Sequence, residues 1–318
     1  MKGKYLSEIV SVEDLEIGKL NLIPAPCGCG KTTFAKRILQ SVNADYCDEF
    51  VQPDMLYLID TAMGKEQLLK SKESLIEYNY WSDEPYWKLP GITIMTYAGY
   101  QTLCEKAPDY NCWQNKCVIV CDELQEEIQW SKWKQEDNIH QRAIGRIAYN
   151  IEMTQNLVVA LSATPEWIRK EFEWCINEIE LSDEPRHYEN EVVEEYSNLD
   201  LLLSKIVPGE CGIIYISQIV QMLELEKKLK SRGIKCIALW SKNNKNFELT
   251  DAQRRVRDYI IEKKELPDSV DVLIINRACA TSITIGMKNT PENRLILLSF
   301  ILLMKIFRRK QGGDIEMI

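Results

Sequence analysis

Histidine is nearly missing from this chain, with two among 318 residues. No C-x-x-C pair occurs either, so the common zinc patterns are excluded. Cys112, Cys117 and Cys121 cluster at a spacing that no common zinc site uses, and only His140 and His187 are left to complete one. The 11 cysteines are odd in number and scattered, several inside strand-like runs (Cys117, Cys121, Cys211, Cys236). A disulfide framework is therefore not expected, and reduced, mostly buried thiols in a cytoplasm are. Long apolar runs are missing too. No window approaches the roughly 20 apolar residues of a membrane span, and Leu295 to Met304 reads as a buried strand or core segment. The start, Met1-Lys2-Gly3-Lys4-Tyr5, is basic but runs into Glu8, Glu13, Asp14 and Glu16, unlike a signal peptide. Positive charge is in deficit, 39 Lys and Arg against 48 Asp and Glu, for a net charge of −9. That argues against a generic nucleic-acid coat, while a local basic groove remains compatible, because phosphates are read where they lie. Internal repeats and low-complexity tracts are also lacking.

What is present is a globular composition, 45% hydrophobic and 27% charged, and a length sufficient for two domains. One stretch organises it: Ala25-Pro26-Cys27-Gly28-Cys29-Gly30-Lys31-Thr32, followed by Thr33. It comes after a short apolar run, Leu20 to Ile23, and before a helix-like pattern, Phe34 to Leu39. Strand, glycine-rich loop and helix form the context in which G-K-T binds phosphate. Gly28 and Gly30 lack the Cβ that would stop backbone N–H groups from turning inward, and those donors with the positive helix end cradle phosphate oxygens. Lys31 is the candidate for the β- and γ-phosphates and Thr32 for Mg²⁺. The competing reading is a chance glycine turn before a helix. Cys27 and Cys29, thiols in an anion-binding loop, are expected to have lowered pKa and to be reactive, unless they are merely small residues that the turn tolerates.

A second signal is Cys117-Val118-Ile119-Val120-Cys121 capped by Asp122-Glu123-Leu124-Gln125. At the C-terminal edge of a parallel strand, Asp122 is placed to hold Mg²⁺ through its waters, and Glu123 to orient or deprotonate an attacking water. The alternative is an acidic helix start, which the helix dipole favours. Leu157 to Leu161 is another buried strand, running into Ser162-Ala163-Thr164-Pro165. Those hydroxyls either hydrogen-bond the neighbouring acidic motif or cap a helix from Glu166; both readings stand together.

Further apolar runs place strands at Met55 to Ile59, Ile92 to Thr96, Gly212 to Ser217, Cys236 to Trp240, Asp271 to Asn276 and Leu295 to Phe300. Residues 41 to 54 read as a polar connection, Glu66 to Ile76 as a helix, residues 78 to 91 as a loop, and Val220 to Arg232 as an amphipathic helix stopped by Gly233. Alternating strands and helices predict parallel sheets covered on both faces. The tryptophans at 81, 87, 113, 130 and 133 are read as core or inter-helix packing, with base stacking as the alternative. The domains are expected at 1–183 and 196–318, joined by an acidic linker at 184–195.

With three motifs in order, each after an apolar run, the protein resembles a superfamily 2 DEAD/DEAH-type helicase. Residues 25 to 32 resemble motif I, Asp122 to Gln125 motif II, and Ser162 to Thr164 the S-A-T of motif III. Weaker matches are Asp60 to Gly64 for motif Ia, Thr96 to Tyr100 for Ib, Gly212 to Ser217 for IV, and Asn276 to Ile285 for V. The resemblance implies an α/β protein of two RecA-like domains, each a mostly parallel sheet with helices on both faces. It implies ATP with Mg²⁺ at their cleft and single-stranded DNA or RNA across both, with no membrane. Thr61, Thr96, Thr281 and Ser282 would then contact phosphates, and Ser162 and Thr164 would couple the two sites. Three departures stand out. Motif II reads D-E-L-Q. No adenine-reading Gln motif precedes residue 25, so ATP over GTP follows from the likeness alone. The tail, Phe307-Arg308-Arg309-Lys310-Gln311-Gly312-Gly313-Asp314, holds the ingredients of motif VI without its spacing. Arg308 or Arg309 is the candidate arginine finger; the competing readings are a solvated basic end or a truncated second domain. A finger is worth roughly 10³–10⁵ in rate. The functional expectation is an ATP-dependent helicase or translocase, with Lys31, Asp122 and Glu123 as its machinery. The alternatives are an ATP-binding clamp with little turnover, and a P-loop kinase or nucleotide-processing enzyme for a small molecule.

Overall fold

The computed structural model describes residues 3–26, 28–45, 54–70, 92–106, 116–133, 138–186, 203, 206, 212–280 and 285. The protein divides into two compact units, Met1–Glu189 and Asn190–Ile318.

The first unit is built on six strands: β1 (Leu20–Pro24), β2 (Asp54–Ile59), β3 (Ile92–Thr96), β4 (Lys116–Asp122), β5 (Leu157–Ser162) and β6 (Ile176–Glu178). They form one sheet in the order β3-β2-β4-β5-β1-β6, and every pairing is parallel. Its helices are α1 (Leu6–Ile9), α2 (Lys31–Asp45), α3 (Ala62–Lys70), α4 (Tyr97–Lys106), α5 (Leu124–Ser131), α6 (Ile139–Met153) and α7 (Glu166–Glu171). The central strands are mostly apolar because both faces are covered, as parallel sheets require. Alternation then decides which helices each residue meets. Met55, Tyr57, Ile59, Val118, Val120, Val159 and Leu161 pack with Phe34 and Ile38 of α2. Their neighbours Leu56, Leu58, Ile119, Cys121, Val158 and Ala160 pack with α4, α5, α6 and α7.

The sequence reading holds for β1 to β5, with local shifts. Helix α2 continues to Asp45, into the stretch read as a connection, and α3 begins at Ala62 rather than Glu66. Strand β6 has no counterpart in the sequence reading. It is three residues long, only partly buried, and carries no apolar run.

The second unit holds β7 (Gly212–Tyr215), β8 (Cys236–Leu239) and β9 (Val272–Ile275), parallel in the order β7-β9-β8. Helix α8 (Ile219–Ser231) follows β7, α9 (Asp251–Lys263) follows β8 and α10 (Arg277–Ala280) follows β9. Gly233 takes the left-handed conformation just past α8, with φ +78°, a stop that a residue without Cβ makes at little strain. The start of α9 is a capping box: Thr250 accepts from Gln253 N–H, and the Gln253 side chain accepts from Thr250 N–H at 2.8 Å. The expected strand at Leu295 to Phe300 lies outside the described residues.

Candidate phosphate and metal site

The site gathers at the C-terminal edge of the first unit's sheet, where β1, β4 and β5 end. Strand β1 hands over to the glycine loop. Ala25 N–H donates to the Ser162 carbonyl at 2.7 Å, which ties the loop's entry to the end of β5. Gly28 and Gly30 both have positive φ, +85° and +87°, the conformation that the loop demands and that residues with a Cβ disfavour. A Cβ on Gly30 would lie 3.0 Å from Cδ1 of Tyr5, whose ring also has the Arg186 guanidinium 4.5 Å from its centre. The N-terminal segment thus packs on the loop, and Leu6 N–H donates to the Cys29 carbonyl at 2.9 Å. Cys29 is fully buried, so the expected reactivity of that thiol is corrected: burial keeps reagents away from it. Cys27 lies outside the described residues.

Lys31 and Thr32 open α2. The Lys31 ammonium forms ion pairs with both acids of the D-E pair, Glu123 and, at 3.4 Å, Asp122. All three side chains are 12–13% exposed. Asp122 is the last residue of β4, and Glu123 follows in the left-handed region with φ 52° and ψ 46°. A non-glycine residue there is strained. Its N–H donates to the Leu161 carbonyl at 2.9 Å, and its carboxylate accepts from Gln125 Nε2 at 2.6 Å. The Glu123 carboxylate does not cap α5; its other oxygen pairs with the Lys31 ammonium.

Two tyrosines hold Asp122. Tyr57 of β2 donates to Oδ2 at 3.0 Å, and Tyr97 of α4 donates to the backbone carbonyl oxygen at 3.0 Å. Burial, with the Asp122 charge behind it, holds the Tyr57 hydroxyl well above its ordinary pKa, so it stays a donor. Burial also raises the Asp122 carboxyl, against the pull of Lys31, and Glu123 adds to the rise. Asp122 Oδ1 is buried without a hydrogen bond. Its neighbour there is the Lys31 ammonium at 3.4 Å, and a carboxylate oxygen with no hydrogen bond of its own suits a hard cation that takes oxygen ligands. Neither tyrosine stands out in the sequence. For Tyr57 the available signal is a phenol inside an otherwise aliphatic buried run, since a buried hydroxyl needs a partner.

The remaining candidates are placed as follows. The Ser162 hydroxyl accepts from Thr164 N–H at 3.1 Å, while α7 begins after Pro165 with no hydroxyl capping it, which corrects the helix-cap reading. Ser162 meets the site through its backbone. Thr61 and Thr96 cap α3 and α4, each accepting the N–H three residues on, from Gly64 and Gly99, at 3.1 Å. Thr33 lies in the first turn of α2. His140 is paired with the buried Glu127 at 3.0 Å and stacked on Trp130. Trp130 and Trp133 pack together at 4.8 Å, with Trp133 still half exposed. Among the described residues no three His, Cys, Asp or Glu side chains gather to hold a metal. Likewise no helix among them is long and apolar enough to cross a membrane. Thr281, Ser282, Arg308 and Arg309 lie outside the described residues, as do His187 and the tryptophans at 81, 87 and 113.

No protein-family model matches this sequence, and no curated protein matches it. Solved structures do. One is Dbp5 of S. cerevisiae bound to RNA and ADP BeF3, with TM-score 0.58, 15% identity, and coverage of 99% of this chain and 95% of that one. Another is a point variant of Dbp5 bound to the same ligands, with TM-score 0.57, 15% identity, and coverage of 94% and 84%. This protein has the α/β fold of the DEAD-box helicases.

Proposed function

We propose that this protein binds Mg-ATP and couples its hydrolysis to movement on single-stranded nucleic acid, as an ATP-dependent helicase or translocase. One observation carries the reading: the Lys31 ammonium meets Asp122 and Glu123 at one sheet edge, beside a loop with two left-handed glycines. Without nucleotide, Lys31 neutralises two largely buried acids. With a triphosphate in the loop, the ammonium turns to phosphate oxygens, and backbone N–H groups of the loop and of α2 hold the rest. Glu123, oriented by Gln125, is then free to take a proton from the attacking water. Asp122 and Thr32 are the residues that would hold Mg²⁺, which would offset the charge of the phosphate oxygens.

Nucleic acid enters through α3 and α4. Their caps, Thr61 and Thr96, each accept an N–H at 3.1 Å, beside the first-turn N–H groups of the two helices. Such donors bind phosphate backbone without reading sequence. RNA is the first substrate to try, because Dbp5 of the same fold was captured with RNA and ADP BeF3. We assign the ATP site to the first unit and the second half of the helicase architecture to the second, in a reducing cytoplasm.

The test is ATP hydrolysis titrated with single-stranded RNA and, separately, DNA, in the parent and in Lys31→Ala. The expected result is a nucleic-acid-stimulated rate in the parent that Lys31→Ala abolishes. Equal rates in the two proteins would overturn the assignment. Hydrolysis indifferent to either polymer would point instead to an enzyme for a small molecule, and tight ATP binding without phosphate release to a clamp.

A further inference from the structure

Tyr57 is a phenol placed where an aliphatic residue would pack as well. Its strand neighbours are Leu56 and Leu58, and its ring joins the apolar cluster against α2. A hydroxyl buried there costs free energy unless it is bonded. Strand register explains the partner. Tyr57 sits opposite Val120 on β4, and Asp122 lies two residues further on the same sheet face. That diagonal separation is within reach of an aromatic ring, and the hydroxyl reaches Asp122 Oδ2 at 3.0 Å. A tyrosine hydroxyl has one proton, and this one is given to Asp122.

We infer that Tyr57 is a positioning residue for the divalent cation: it holds Asp122 Oδ2 at 3.0 Å and so leaves Asp122 Oδ1 as the oxygen that would meet the cation. This role rests on the Mg-ATP reading above. The phenol secures the carboxylate through one oxygen and leaves the other unengaged by it, joining β2 to β4 at the sheet edge. Tyr97 secures the Asp122 backbone from another side without touching the carboxylate.

Tyr57→Phe removes one oxygen and keeps the ring. The probe is a fluorescent ATP analogue, bound first in EDTA and then with increasing Mg²⁺. Partners that orient a ligand are typically worth roughly 10-fold to 100-fold in metal affinity, so Mg²⁺ half-saturation should rise by that factor, with nucleotide affinity in EDTA unchanged. Tyr97→Phe loses a buried hydrogen bond of the same length to the same residue; it should melt lower and leave Mg²⁺ half-saturation where it was. A Tyr57→Phe protein whose Mg²⁺ half-saturation stays within about twofold of the parent would overturn the role, since less than the orienting effect would be lost. So would an equal loss of nucleotide affinity with and without Mg²⁺, or an equal Mg²⁺ shift in Tyr97→Phe. A parent whose nucleotide binding ignores Mg²⁺ would instead remove the functional reading itself.

Discussion

Truncating Lys31 leaves two carboxylates facing each other at a sheet edge with their counter-charge gone. In the intact protein the ammonium pairs with Glu123 and lies 3.4 Å from Asp122, and all three side chains are 12–13% exposed. Removing one partner of a fully buried pair costs about 3–5 kcal/mol. The residual exposure lets some water in, so the lower end applies, about 3 kcal/mol. For a unit of this size, about 1 kcal/mol moves Tm by roughly 2–4 °C. Lys31→Ala is thus expected to melt about 6–12 °C below the parent at neutral pH, in EDTA and without nucleotide. Circular dichroism on heating measures this. The sign with pH follows from Asp122, whose carboxyl is already raised by burial and loses the opposing pull of Lys31. It then takes up a proton more readily, so the deficit should shrink as the solution is acidified. A second change, Glu123→Gln, should restore at least part of the lost stability by removing one of the two like charges. A Lys31→Ala protein that melts with the parent at neutral and acidic pH would refute the reasoning, because the acids would then not depend on the ammonium.

Other outcomes follow from the same geometry. Glu123→Gln should keep or tighten ATP binding, since Lys31 is released from its ion pair, and should slow single-turnover hydrolysis by roughly 10²–10⁴; loss of binding with normal turnover would contradict the base assignment. Asp122→Asn should raise the melting temperature of the nucleotide-free protein at neutral pH. The folded carboxyl titrates above the ordinary aspartate value, so its charged form is disfavoured and stability falls as pH rises through that window. The gain should vanish in acid, and a lower melting temperature at neutral pH would count against it. Gly30→Ala meets both a φ of +87° and the Tyr5 ring at 3.0 Å. It should lose about 1–2 kcal/mol from the backbone conformation alone and weaken ATP binding. Gly145→Ala, in the middle of α6 with open space around its Cβ position, should instead stabilise by about 0.5–1 kcal/mol. Matched melting curves for the two glycine variants would show that the loop carries no special constraint.

The sequence is most readable where one signal serves two purposes. The run ending in Asp122-Glu123 announces a strand by its apolar residues and a site by the acids at its end. Leu20 to Thr32 does the same for β1, the loop and α2. Edge and partner details are not legible. Strand β6 has too little apolar content to stand out, and it exists because β1 leaves an edge open to it. The left-handed Glu123 follows from a turn that backbone geometry sets, and no residue type advertises it. Tyr57 and Tyr97 are hidden because their role depends on β2 and α4 lying beside β4, a matter of strand order rather than local pattern. The S-A-T segment does lie beside the site, but its link is the Ser162 carbonyl, which any residue would supply.

Whether Lys31, Asp122 and Glu123 grip a metal-bound triphosphate is tested most directly by calorimetric titration of ATP into the parent and Lys31→Ala, each with and without Mg²⁺. The parent is expected to bind one ATP per molecule, more tightly with Mg²⁺. Lys31→Ala should bind more weakly by at least tenfold, about 1.4 kcal/mol, in both conditions. Equal affinities for the two proteins, or a parent that takes up no ATP at all, would contradict the account.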